Sequence, residues 1–201
     1  MKAPLAIISL AAALALSGCA TPPGPVAVTR FVAPERLGEL GGGTFFIEDM
    51  PGSGASALEL APYKAAVATE LVQLGYSESD RASANLVVQV AVRRGVIEAG
   101  ERRGPVSVGV GGSTGGHGSG VGLGVGINLG GGPKDRLGTE LAVRIAEKEG
   151  GASLWEGRAD FRPPEDSPLA RGKANAQTVA SALFRDFPGN NGETIEVKVS
   201  R

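Results

Sequence analysis

The chain has 201 residues, a net charge of -1, 32 glycines, one cysteine and one histidine. A near-neutral balance excludes a nucleic-acid footprint, which needs a clustered excess of Lys and Arg. One His and one Cys leave little from which to build a transition-metal site.

The first element reads as an export signal over residues 1–18. Lys2 is followed by an apolar stretch from Leu5 to Leu16, about twelve residues long, where a spanning helix needs roughly 20. Leu16-Ser17-Gly18-Cys19 then matches the lipobox at which bacterial lipoproteins are acylated and cut. Cys19 is the only cysteine, so it has no disulfide partner within the chain, and a lone thiol in an oxidising envelope is a liability that lipidation removes. The resemblance to lipoproteins implies three acyl chains on Cys19. Ala20 stands where an Asp would signal inner-membrane retention, which implies the outer membrane with the domain facing the periplasm. The expected partners are that membrane and an envelope protein or ligand, with no nucleic acid and no cofactor.

Residues 19–25 form a lipidated N-terminus and tether in which Pro22, Pro23 and Pro25 favour an extended chain. Residues 26–201 are the domain. Val26–Val32 has strand composition, and Gly41-Gly42-Gly43 leads into a second strand over 44–48. Leu60, Tyr63, Val67, Leu71 and Leu74 recur at helical spacing. Ser56 with Glu59 fits a capping box, but Pro62 favours a regular helix starting near 62. It ends at Gly75. Residues 86–92 follow as a strand with Leu86, Val88, Val90 and Val92 on one face.

Residues 104–133 hold 14 glycines. A low-complexity linker and a four-residue glycine zipper through Gly118, Gly122, Gly126 and Gly130 are both available readings. The pattern favours a β-hairpin: Val106, Val108 and Val110 alternate with small residues, as do Val121, Leu123, Val125, Ile127 and Leu129. A second hairpin joins 141–145 to 154–161 across Lys148-Glu149-Gly150-Gly151. Ser167-Pro168 reads as the start of a helix that runs to about Asp186 and buries Ala176, Val179, Ala180 and Leu183. Thr194–Val199 closes the chain as a strand. The expected fold class is α+β, a mainly antiparallel sheet with two amphipathic helices packed on one face.

Several segments together resemble the DUF4136 family of bacterial envelope lipoproteins. They are Leu71-Val72-Gln73-Leu74-Gly75-Tyr76, Ala84-Asn85-Leu86-Val87-Val88-Gln89-Val90, Leu154-Trp155-Glu156-Gly157-Arg158-Ala159 and Phe184-Arg185-Asp186-Phe187-Pro188-Gly189. The resemblance spans roughly 26–199. Members often carry Asp where Asn85 stands, and the Gly-rich insertion is longer here. The resemblance implies the fold and brings no catalytic residues.

Chemical candidates are few. His117 lies at a Gly tip, without the orienting partners that catalysis requires. Gly122-x-Gly124-x-Gly126 lacks the rest of a dinucleotide fingerprint, and no Gly-Lys-Ser/Thr occurs. Glu140, Glu156, Asp160, Glu165 and Asp166 are available carboxylates. The alternation puts Glu156, Arg158 and Asp160 on one strand face, where a solvated row is expected. Arg93-Arg94 and Arg102-Arg103 read as solvated charge, and Trp155 as core. The expected protein is a non-enzymatic envelope module; the alternative is a carrier with a ligand between helices and sheet.

Overall fold

A computed structural model describes residues 21–97, 106–112, 121–127 and 135–199. Cys19, the 1–18 segment, His117 and Arg102-Arg103 lie outside the described residues.

Nine strands are described: β1 (Val26–Val32), β2 (Gly43–Asp49), β3 (Tyr76–Glu78), β4 (Leu86–Ile97), β5 (Val106–Gly112), β6 (Val121–Ile127), β7 (Arg136–Glu147), β8 (Ser153–Phe161) and β9 (Thr194–Val197). The helices are α1 (Ala57–Gln73) and α2 (Gly172–Phe184), with a short 3-10 helix at Pro34–Glu39. Seven strands form one sheet in the order β3-β2-β4-β7-β8-β1-β9, and β5 pairs with β6 apart from it. The α+β expectation holds, with helices on one face. The sheet is mixed, because β2 runs parallel to both β3 and β4. The cause is connectivity: α1 carries the chain back along the sheet, and a strand reached through such a crossover pairs in parallel.

Alternation decides which side of each strand is buried. Leu86, Val88, Val90 and Val92 of β4, Leu141, Val143 and Ile145 of β7, and Ala159 and Phe161 of β8 face the helices and are buried. Leu60, Tyr63, Val67 and Leu71 of α1 and Ala176, Val179, Ala180 and Leu183 of α2 meet them in the same core. A bulge between Ile145 and Ala146 shifts the register so that Ile145 pairs with Trp155 and Ala146 with Ser153. The extra residue lets two neighbours, Leu154 and Trp155, both be buried.

Both helix starts differ from the sequence reading, for separate reasons. In α1 the cap prevails over the proline. The Ser56 side chain accepts a hydrogen bond from the Glu59 amide, at 3.2 Å, and the helix begins at Ala57. Pro62 therefore sits inside the helix and cannot bond the Leu58 carbonyl. Leu58 is 86% exposed, so water can take that carbonyl instead. In α2 the expected Ser167-Pro168 cap forms a turn, with the Ala170 amide donating to the Ser167 carbonyl at 3.0 Å. The next carbonyls are already engaged, Leu169 by the Asn175 amide and Ala170 by Arg94, both at 2.9 Å. The helix starts only after them, at Gly172.

Glycine is a packing requirement at Gly157. A Cβ there would come within 2.3 Å of the Trp155 ring and 2.8 Å of Leu183. Gly157→Ala is expected to destabilise the domain by about 1–3 kcal/mol through overpacking. Trp155 is the only tryptophan, so urea unfolding followed by its fluorescence measures the change directly; unaltered emission and midpoint would contradict the packing.

Candidate functional site: the open face of the sheet

The side of the sheet away from the helices carries the polar half of each strand. Glu156, Arg158 and Asp160 do share that face, as their alternation predicts. The row is occupied by ion pairs. Asp160 accepts two bonds from Arg162, at 2.6 and 3.0 Å. Glu156 accepts from Ser153 Oγ at 2.9 Å and lies 3.6 Å from Arg144 Nε. Glu140 pairs with Arg93 at 2.5 Å. Glu165 pairs with Arg171, away from this row in sequence, and Asp166 is also engaged.

Between these pairs lies a depression of about 410 Å³, bordered by Phe31, Met50, Gln89, Arg144, Glu156 and Arg158. Phe31 is 52% exposed, near the sheet edge where β9, which pairs only with Val26–Thr29, no longer flanks β1. It pairs across β1–β8 with Glu156. Arg144 is fixed on one side, donating to the Gly151 carbonyl at 2.8 Å. Arg158 is exposed and has no ion-pair or hydrogen-bond partner among the described residues. At the rim, the Gln89 amide donates to Glu48 at 3.0 Å. That bond, aided by Arg81, holds the Glu48 carboxyl below the ordinary range. An aromatic ring beside one fixed and one free guanidinium can take up a carboxylate-bearing segment with an apolar part.

A second depression, about 520 Å³, lies at the end of the sheet where β2 and β4 begin, lined by Glu39, Asn85, Leu86, Glu147, Lys148 and Glu149. Arg36 bridges Glu39 and Glu147 there, and its hydrogen bond holds the Glu39 carboxyl below the usual range. Among the described residues no group of three His, Cys, Asp or Glu could hold a metal ion.

The segments that carry the family resemblance meet elsewhere, in the core. Trp155 stacks on Phe184 at 5.4 Å between centroids and touches Phe187 at 5.3 Å, and Tyr76 meets Phe187 edge-on. Trp155 Nε1 donates to the Pro188 carbonyl at 2.9 Å. Trp155 is thus core, as expected, and these motifs build the fold.

Two residues of β1 escaped the sequence reading. Arg30 is fully buried on the helix side, and Phe31 stands out on the open side. Val26-Ala27-Val28-Thr29-Arg30-Phe31-Val32 contains the signal: in strict alternation a charge falls in the valine row and an aromatic in the polar row. Such an inversion marks a residue with a specific task.

The family model for a domain of unknown function (DUF4136) matches residues 41–189. No curated protein matches the chain. Among solved structures, a PelC dodecamer from Paraburkholderia phytofirmans is similar at 11% identity, covering 79% of this chain and 94% of that one, with a TM-score of 0.46. A PDZ domain protein from Parabacteroides distasonis is similar at 16% identity, covering 94% of this chain and 42% of that one, with a TM-score of 0.47. Both likenesses are too distant to carry an argument about function. The family match covers most of the chain and contains every motif that brought Trp155, Phe184, Phe187 and Tyr76 together: the chain belongs to the DUF4136 family.

Proposed function

We propose that the protein is a non-enzymatic lipoprotein, anchored in the outer membrane through Cys19, whose open sheet face binds another component of the periplasmic envelope. The anchor rests on the lipobox and on Cys19 being the only cysteine. The binding surface rests on one observation: Phe31 stands half-exposed on the open face beside Arg144 and Arg158, the latter without a partner among the described residues. Aromatic residues and arginines are the residue types that dominate binding energy at interfaces. The Glu156 and Asp160 carboxylates of the same row are each engaged by an arginine, which supports a binding role.

A carrier with its ligand between helices and sheet is the alternative. That interface is filled by Trp155, Tyr63, Phe45, Leu60 and Leu71, all buried, which favours the surface reading. Recovery of a bound small molecule by native mass spectrometry would reverse that preference.

Two measurements test the proposal. Cys19→Ser is expected to move the protein from the membrane to the soluble fraction; continued sedimentation with membranes would remove the anchor. A photo-crosslinking residue at Phe31 or Arg158 in intact envelopes is expected to trap one defined adduct, and one at Val72 on α1 none. Equal labelling from both sides of the domain would remove the open-face site.

A further inference from the structure

The pairing register lays out the open face of the sheet in rows that cross its strands, because directly opposed residues share a face. One row runs through Glu48, Gln89, Arg144, Glu156 and Phe31. A second, four residues further along β4, runs through Arg93, Glu140 and Asp160. Between them lies a row in which every side chain but one is small: Ala91, Ala142, Arg158, Thr29 and Thr194. Met50 closes it at the β2 end, its amide donating to the Val90 carbonyl at 2.8 Å. The flanking rows stand about 7 Å to either side, so the two alanines floor a lane between longer side chains. The depression beside Phe31 follows this lane from Met50 past Ala142 to Arg158.

Charge is distributed unequally among the rows. In the first, the Gln89 amide donates to Glu48 at 3.0 Å, and Arg144 lies 3.6 Å from Glu156. In the second, Arg93 pairs with Glu140 at 2.5 Å and Arg162 with Asp160 at 2.6 Å. Arg158 is the one charge in the lane. Its cross-strand neighbours, Ala142 and Thr29, carry none, and the Thr29 hydroxyl is shared with Thr194 at 3.0 Å. The carboxylates two residues away on its own strand, Glu156 and Asp160, are taken by Arg144 and Arg162. Register thus leaves a single cation exposed within the lane, without a partner among the described residues.

We infer that the lane takes an extended segment of a partner protein, laid across the strands with a single carboxylate side chain on Arg158. The inference rests on the open-face reading and names what that face binds. Six strands from β2 to β9 make the lane about 24 Å long, which an extended chain covers with about seven residues. A small anion would use Arg158 and leave that length empty. Polar side chains line both borders, as a peptide backbone requires once it gives up water. An alkyl chain would strip water from them and return no hydrogen bond. The match is to one negative charge, because Arg158 is single and Glu196 stands exposed opposite Ala27 at the β9 end. A second acidic residue toward that end meets like charge.

The test screens the mature chain, carrying Cys19→Ser, against a bead library of seven-residue peptides with acetylated and amidated ends. Peptides recovered are expected to carry one Asp or Glu near the middle, and their affinities are then measured by fluorescence anisotropy. Arg158→Ala is expected to weaken binding about tenfold and to remove its salt dependence, while Arg158→Lys keeps most of both. Ala91→Gln and Ala142→Gln, which raise the floor of the lane, are expected to weaken binding strongly with Trp155 emission unchanged; Val72→Gln on α1 is expected to change nothing. Recovered peptides without an acidic residue, or equal binding by Arg158→Ala, overturn the inference. Unchanged affinity in both alanine variants overturns the lane. A library that yields no binder overturns it as well, and an adduct still trapped from Phe31 in intact envelopes then assigns the face to a partner of another class, such as a glycan. Absence of any adduct from Phe31 and Arg158 removes the binding face itself, so the two failures are told apart.

Discussion

The last turn of a helix leaves carbonyls without partners, and α2 ends on two buried residues, Leu183 and Phe184. The donor is Arg30, a charged side chain from β1 in the middle of the valine row. Its Nε donates to the Leu183 carbonyl at 3.2 Å and its Nη2 to the Arg185 carbonyl. Its Nη1 pairs with Glu193 at 2.8 Å. One buried guanidinium thus ties a strand to the end of a helix and to the loop before β9. The cost of desolvating it is offset because several of its donors are used and a carboxylate balances its charge.

The rest of the core is arranged around that contact. Gly189 has a φ of +75°, and a Cβ there would come within 2.8 Å of Arg30 and closer still to Glu193, so the chain can pass the guanidinium only as glycine. The preceding carbonyl, Pro188, is then placed to accept from Trp155. Trp155 lies over Gly157 and stacks on Phe184, the last residue of α2. Backbone groups and rings at this helix end are therefore satisfied together. The family model begins at residue 41, yet the guanidinium that caps a helix within it comes from β1. The first strand belongs to the folding unit even though the shared pattern starts after it.

Most of the fold was legible because it follows from alternation and helical periodicity, which record burial directly. β1, β2, β4, the 141–161 hairpin, both helices and the closing strand could be read that way. What escaped depended on contacts distant in the chain. Nothing near Ser167 reveals that Arg94, from β4, will take the Ala170 carbonyl of the turn before α2. β3 is three residues long and exists because β2 lies beside it. The candidate surface was partly legible: the Glu156-Arg158-Asp160 row follows from period two, but Phe31 joins it only once β1 is known to lie against β8. Arg30 was visible as an anomaly in the valine row, without any indication of which helix it served.

The sheet assigns separate work to its parts. Its helix side is closed by the core, its open side carries an exposed phenylalanine among arginines, and its ends differ in character. The chain enters β1 beside Arg136, where Pro23 is buried, and at the opposite end Arg36 bridges Glu39 and Glu147. Because the helix side is filled by the core, the sheet is left its open face and its ends for contact.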